Sequence, residues 1–477
     1  MRREALKNVE QQLAADPNSL GLRFERACLL TESGQTEEAK LAYLDLLARE
    51  PAHAGALNNF GTLLCDTGFR GAARIAYEEA VKQHPADPMG HVNLGNMLLE
   101  AGELAAAREH YEAALAVDPL HRGAHQGLGS LLAALGDDEA SLEHQRLGHA
   151  GVTQVPYRGQ AKPVQVLLLV ASGRGGNVPI RPHLDDRVFQ TFVIAPEFWD
   201  FDTPLPPHQL VINAIGDVDL CRSALDGAVK LVERTLAPVI NSPAAVLGTS
   251  RIGNARRLAD LPGVIAPQIR YLSRHALAEP GSLEFPVLLR APGFHNGQHF
   301  LKIDDAAGLP AALNELPGEE LIVIQFLDAR GTDGKFRKYR VMMIGGNLYP
   351  LHLAISENWK IHYVTADMAD NAEHRAEEAR FLHQMPDVLG ERALAALKLI
   401  QQSLDLDYAG IDFGLSPTGD VLLFEANATM VIVPPAADAR WDYRREAVHR
   451  AEEAVRRLLF TRAGVEAQFF GTLTRPS

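Results

Sequence analysis

Across the first 150 residues, apolar positions recur at helical spacing, and the pattern itself repeats every 34 residues. Pro17, Pro51, Pro85 and Pro119 mark one register, and Gly34, Gly68, Gly102 and Gly136 a second. Ala27, Gly61, Gly95 and Gly129 form a third, and Ala39, Ala73, Ala107 and Tyr43, Tyr77, Tyr111 two more. Each period predicts two helices joined at the glycine. Small residues stand where the helices approach, and the proline closes the unit because it cannot donate within a continuing helix. After residue 150 the pattern changes. A polar linker bearing Pro and Gly, residues 151–162, leads into the apolar runs "VQVLLLVAS", "FQTFVIAP" and "QLVINAIGD". These read as buried strands, with a helix over "CRSALDGAVKLVERTL". That alternation predicts a small doubly wound α/β domain over 163–280. Farther on, "GIDFGLSPTGDVLLFEANATM", residues 410–430, reads as two strands around a Ser-Pro-Thr-Gly-Asp turn.

Composition narrows the function classes. The chain has 477 residues, 47% hydrophobic and 22% charged, as expected of a globular protein of several domains. Its 46 basic and 60 acidic residues give a net charge of −14, which argues against nucleic acid or an anionic membrane as the main partner. Cys28, Cys65 and Cys221 are too scattered for a disulfide framework or a paired-cysteine metal site. The start "MRREALKNVEQQL" lacks an apolar signal core, and no apolar run is long enough for a bilayer. The expectation is a cytoplasmic, reducing setting.

Candidate chemistry concentrates late in the chain. Strand alternation puts Glu425 and Asn427 on one face, and hairpin pairing brings Asp412 towards them. Three oxygen donors of this kind suit Mg²⁺ shared with substrate phosphates. The loop "GRGGN" (173–177) lacks the full dinucleotide-binding spacing, and Pro179 and Pro182 precede any helix. It reads instead as a loop offering backbone amides to a substrate, with Arg181 as an anion contact. His295, His299, His352 and His362 match no zinc spacing.

Residues 17–148 resemble the tetratricopeptide repeat, with Ser141 and Gln145 departing from the Ala and Tyr registers in the fourth unit. The resemblance implies a superhelical stack whose groove binds a peptide or protein, and makes Asn58, Thr62, Asn96, Gln126 and Ser130 candidates to face it. Downstream, four blocks occur in order: "NSPAAVLGTSRIGNARRLADLPGVIAPQ", "FPVLLRAPGFHNGQHFLKI", "ELIVIQFLDARGTDGKFRKYRVMMIGGNLYP" and "YAGIDFG" with "VLLFEANATM". Their order resembles the ATP-grasp ligase superfamily over about residues 163–460, most like its ribosomal-protein glutamate ligase, glutathione synthetase and D-alanine–D-alanine ligase branches.

Together the two resemblances imply a multidomain α plus α/β protein. It would carry a repeat domain at 1–150, a linker at 151–162, a pre-ATP-grasp α/β domain at 163–280 and an ATP-grasp α+β fold at 281–477. ATP and Mg²⁺, or Mn²⁺ in its place, are the implied cofactors. Arg290 stands where the family places a phosphate-binding Lys, and Gly293, His295, Asn296 and Gly297 lie in a loop that would close over the phosphates. Gln325, Phe326 and Leu327 would contact adenine and Asp328 the ribose; Lys338 and Arg340 would lie near the transferred phosphoryl group. Asp412, Glu425 and Asn427 match the metal ligands. Two departures stand out. Arg251 is the nearest cation to a missing family Lys, and Lys360 stands where ligases carry an Arg for the acceptor carboxylate. Arg340, Lys360 and Arg290 are thus the catalytic candidates. The implied reaction is a carboxylate–amine ligation through an acyl phosphate, on a peptide or protein substrate captured by the repeats. A small-molecule amine or amino acid could serve as nucleophile, and a homodimer is compatible with this reading.

Overall fold

In the computed structural model, Gly34, Gly68, Gly102 and Gly136 take φ of 73°, 85°, 79° and 77°. A Cβ is disfavoured in that left-handed region, which explains the glycine register. After each glycine the next amide reaches back to the preceding helix: Gln35 N to Leu30 O at 3.0 Å, Phe69 to Leu64 at 2.8 Å, Glu103 to Leu98 at 2.9 Å and Asp137 to Leu132 at 3.0 Å. This bond closes the helix C-terminus and recurs in all four units. The structure describes residues 2–173, 175–278, 281, 283–294, 297–361, 366–436 and 438–465. They fall into two compact units, Met1–Ala150 and Gly151–Ser477.

The first unit is helical. It comprises α1 (Arg2–Ala15), then the pairs α2 (Leu20–Glu32) with α3 (Thr36–Arg49), α4 (Ala54–Asp66) with α5 (Arg70–Gln83), α6 (Pro88–Glu100) with α7 (Leu104–Val117) and α8 (Arg122–Ala134) with α9 (Asp138–His149). The small-residue register sits under the tyrosines. A Cβ on Gly61 would lie 2.5 Å from Tyr77 Cε1, and one on Gly95 would lie 2.8 Å from Tyr111 Cε1. Tyr43, Tyr77 and Tyr111 are correspondingly buried. In the fourth unit Gln145 takes the tyrosine's place against Gly129.

The second unit is mixed α/β with three sheets. The first holds β1 (Thr153–Gln154), β2 (Val164–Leu169), β3 (Phe189–Ile194), β4 (Leu210–Asn213) and β5 (Val239–Ile240) in the order β1-β3-β2-β4-β5. Its strands β2 to β5 are parallel, and β1 adds antiparallel at the β3 edge. Part of the expected linker is therefore an edge strand. The later strands are β6 (Val264–Ile265), β7 (Ile269–Ser273), β8 (Val287–Arg290), β9 (Phe300–Ile303), β10 (Glu320–Gln325), β11 (Phe336–Ile344), β12 (Asn347–Ser356), β13 (Tyr408–Leu415) and β14 (Val421–Asn427). They form an antiparallel sheet ordered β7-β10-β8-β9 and a larger one ordered β12-β11-β13-β14-β6.

The expected domain boundary at residue 280 is displaced. β6 pairs parallel with β14, and β7 pairs antiparallel with β10, so the chain has already joined both later sheets by residue 273. Each short strand satisfies an otherwise open sheet edge, which outweighs the local composition used to place the boundary.

Pairing in the large sheet sets its two faces. Arg340 lies opposite Asp412, Asp412 opposite Glu425, and Gly410 opposite Asn427. The other face contributes Tyr339, Val341, Ile411 and Phe413 to one core with Leu397 and Ile400 of the helix Met385–Leu404. The Arg340 face is divided: Met342, Ile344 and Tyr408 pack in a second core with Val448 and Ala451, and the polar residues collect farther along the same face. Among the described residues no helix is long and apolar enough to cross a membrane.

Candidate functional site

A cavity of about 250 Å³ opens where the three sheets meet. Residues 216–220, following β4, supply one wall, and Arg251, at the start of the helix Arg251–Leu258, supplies another. Tyr271 on β7, Arg290 on β8, and Glu425 and Asn427 on β14 complete it. Asn254 fastens that helix to β14 by donating to the carbonyl of Ala426. Arg251 Nη2 donates to Glu425 Oε1 at 3.2 Å, and Asn427 Nδ2 donates to the same oxygen at 3.0 Å. Across the cavity, Arg290 donates to the carbonyl of Phe294. Burial and the neighbouring Arg251 guanidinium both lower the Arg290 pKa, against the pull of Glu425, Asp217 and Asp219. Two guanidiniums held near each other mark a place that an anion would stabilise.

Beside this cavity, on the same sheet face, Asp412 is 4% exposed, so its charge must be met by protein. Arg340 grips it with both donors, Nε to Oδ1 at 2.6 Å and Nη2 to Oδ2 at 2.8 Å, and Lys338 Nζ stands 3.2 Å from Oδ2. Burial pushes the Asp412 carboxyl up, but Lys338 and Arg340 outweigh it and hold the group well below the usual carboxylate range. His352 lies opposite Arg340 on β12, fully buried, and is held neutral by burial and by the Arg340 charge. Thus Lys338, Arg340, Asp412, Glu425 and Asn427 share one face, while only Glu425 and Asn427 of that set line the cavity. Arg290 and Arg340 do not line a common wall.

The remaining expected residues divide. Gly293 lines the cavity with φ of 79°. His295 and Asn296 lie outside the described residues. Gly297 is pressed by Lys360, whose Cε lies 2.8 Å from where a Cβ would stand. Lys360 Nζ donates to the carbonyl of Phe300 at the start of β9 at 3.2 Å, and Lys360 does not line the cavity. Gln325 is spent on strand pairing: its amide donates to Gln268 O at 2.9 Å and its side chain accepts from Gln268 N at 3.1 Å. Phe326 joins a ring cluster, with Trp359 at 6.5 Å and Phe336 at 6.3 Å between centroids, and Lys302 over its face at 4.8 Å. Leu327 is half-buried beside it, and the exposed Asp328 carboxylate is taken by Arg330 at 2.9 Å. Arg181 is exposed on the short turn Arg181–His183 and does not line the cavity, contrary to expectation. His299 packs edge-on to Phe294 at 4.3 Å, and His362 lies outside the described residues.

Sequence reasoning passed over Asp217, Asp219 and Tyr271. The signal was available in "INAIGDVD": acidic residues directly beyond the carboxyl end of a parallel strand lie where open α/β sheets bind ligands.

The tetratricopeptide repeat family matches residues 24–88, 59–115 and 92–147. The N-terminal region carries tetratricopeptide repeats. Within them, the residues expected to face the groove are largely engaged in the stack itself. Asn58 Nδ2 donates to Asp87 at 3.3 Å and its Oδ1 accepts from Asn93 at 2.9 Å; Thr62 bonds Tyr77 OH at 3.0 Å; Asn96 accepts from Tyr111 OH at 2.8 Å. Gln126 donates to Gly148 O at 2.8 Å and Ser130 to Gln126 O at 3.0 Å. These bonds act chiefly as mortar between helices. Among solved structures, MamA from Desulfovibrio magneticus RS-1 is 23% identical, covering 30% of this chain and 81% of that one, with a TM-score of 0.28. A Pseudomonas aeruginosa pilF structure is 21% identical over 31% of this chain and 67% of its own, with a TM-score of 0.29. A thermophilic repeat protein of Thermus thermophilus is 18% identical over 31% of this chain and 81% of its own, with a TM-score of 0.27. No curated protein matches the chain.

Proposed function

We propose that residues 163–460 act as an ATP-grasp ligase that joins a carboxylate to an amine, and that the repeats capture its peptide or protein substrate. The observation that carries this reading is the charge pattern of one cavity and its adjoining sheet face. Arg251 and Arg290 flank Glu425 in the cavity, and Lys338 and Arg340 flank Asp412 beside it. Four cations around two carboxylates favour a polyanion such as a triphosphate. The ordered sequence blocks supply the rest of the argument.

In this scheme a substrate carboxylate oxygen attacks the γ-phosphorus of ATP, the bond to the bridging β-oxygen breaks, and ADP leaves. The amine then attacks the acyl carbon and loses a proton as phosphate departs. The protein contributes position and charge neutralisation. Arg290 and Arg251 would hold phosphate oxygens, and Arg340 would steady charge on the transferred group. The ring cluster around Phe326 would receive the base. Mg²⁺ fits the donor set only together with phosphate. Asp412, Glu425 and Asn427 offer hard oxygens on one face, yet each is already engaged by Lys, Arg or hydroxyl and amide donors, and the surrounding cations repel a bare ion. Bound with the nucleotide, Mg²⁺ would offset the charge of its phosphates.

A second reading is a repeat scaffold whose α/β unit senses nucleotide without turnover, and the closed Asp412–Arg340 pair favours it. ADP release, measured across candidate peptides, amino acids and amines, separates the two. The ligase reading expects substrate-dependent ADP release that Glu425→Ala abolishes, with ATP affinity at least tenfold weaker in Arg290→Ala. ATP binding with no ADP release under any substrate supports the sensor. Unchanged ATP affinity in Arg290→Ala would remove the cavity from either scheme.

A further inference from the structure

The third and fourth repeats carry matched histidine pairs that packing does not require. His91 on α6 faces His110 on α7, with Nδ1 atoms 3.1 Å apart, and His125 on α8 faces His144 on α9 at 2.8 Å. The pairs are related by the 34-residue period, whereas the equivalent positions of the second unit are Leu57 and Ala76. The charged neighbours recur as well: Arg74 pairs with Glu78 at 2.8 Å, and Arg108 with Glu112 at 3.4 Å. Other positions on the same helices have diverged, Ile75 against Glu109 and Glu79 against Ala113.

Each pair is also oriented. His91 Nε2 lies 3.1 Å from Pro85 O, and His125 Nε2 lies 3.0 Å from Pro119 O. A carbonyl can only accept, so each of these Nε2 atoms carries the proton and the facing Nδ1 presents a lone pair to its partner. A carbonyl that fixes the tautomer from the far side of the ring is the usual support for a metal-binding imidazole. With metal–nitrogen distances of about 2.0–2.1 Å, nitrogens separated as these are subtend roughly 85–100° at a shared ion. Such angles suit square-planar or octahedral ions better than tetrahedral zinc. His110 lines a surface cleft with Arg74 and Glu78, which gives an ion a route in.

We propose that His91 with His110, and His125 with His144, form two exchangeable sites for a divalent late transition-metal ion of the Ni²⁺ or Cu²⁺ type. Binding moves the proton of His110 or His144 from Nδ1 to Nε2, so the metal replaces an N–H···N bond with no net proton release. Among the described residues no three His, Cys, Asp or Glu gather around one metal position. Water therefore completes each coordination shell, and the ions bind reversibly. Each ion would brace the two helices of its own repeat.

The test uses the full untagged chain titrated with Ni²⁺ in a calorimeter, and with Cu²⁺ followed by electron paramagnetic resonance. The expected wild-type result is two ions per chain, each Cu²⁺ showing coupling to two imidazole nitrogens. His144→Gln should leave one such ion, and His110→Gln with His144→Gln should leave none. Gln keeps a hydrogen-bonding side chain, and far-UV circular dichroism without metal checks that the helices persist. A folded double variant that binds two ions as tightly as wild type overturns the proposal, as does a wild-type chain with no two-nitrogen copper signal.

Discussion

Asp412 shows how one residue can be legible in kind and illegible in role. Its oxygen chemistry and its strand were readable, because alternation along a strand is local. Its partners were not, because Lys338 and Arg340 reach it only through the β11–β13 register across 72 residues. Removing one partner of a buried ion pair leaves the other charges uncompensated, at a typical cost of about 3–5 kcal/mol. Asp412→Asn should therefore destabilise the α/β unit by about that amount in urea unfolding. All three tryptophans, Trp199, Trp359 and Trp441, lie in that unit, so their fluorescence reports it alone. The folded carboxyl is held below its unfolded value of about 3.9, so its stabilisation is complete above that pH and fades as pH falls further. The gap between wild type and Asp412→Asn should hold at pH 6 and narrow below about pH 4. A gap independent of pH in that range would show that the pair contributes through packing instead.

At the scale of elements, the repeats were legible almost in full. Period, turn glycine and terminal proline are each set by short-range backbone sterics, and the structure returns all three. The fit of glycine beneath tyrosine follows from the same registers, since Gly95 and Tyr111 face each other within one helix pair. Gly127 was not singled out by period, yet its missing side chain matters more. A Cβ there would lie 2.2 Å from Tyr111 Cε1 and 2.3 Å from Cζ, so Tyr111 is pinned from two successive repeats. Gly127→Ala should destabilise the repeat unit by about 1–3 kcal/mol despite alanine's better helix propensity, as overpacked cores do. A thermal melt read by circular dichroism that moved upward instead would mean Tyr111 can swing aside. The short strands β6 and β7 were illegible for the opposite reason. Two and five residues carry too little pattern, and edge pairing with distant strands decides their place.

At the scale of the whole chain, the proposed ligase reading gives the joining of repeats to an α/β unit a kinetic signature. If the repeats hold one end of a long substrate, they raise its local concentration without touching the chemistry. Deleting residues 1–150 should raise KM for a long peptide by tenfold or more and leave kcat on a short untethered substrate within about twofold. Equal KM values for the truncated and full chains would assign the repeats to another partner. Within the α/β unit, Ala266, Pro267 and Gln268 alone separate β6 in the large sheet from β7 in the four-stranded one. Three residues leave almost no slack, and Pro267 also borders the cavity. In mechanical terms the segment is a short crank: a tilt of one sheet would pull on the edge strand of the other. Under the ligase reading, two glycines inserted after Ala266 should slacken it, lowering substrate-dependent ADP release several-fold and weakening ATP binding as well, because the proposed phosphate contacts come from both sides of the link, Arg290 on the four-stranded sheet and Arg251 on the helix fastened to the large one.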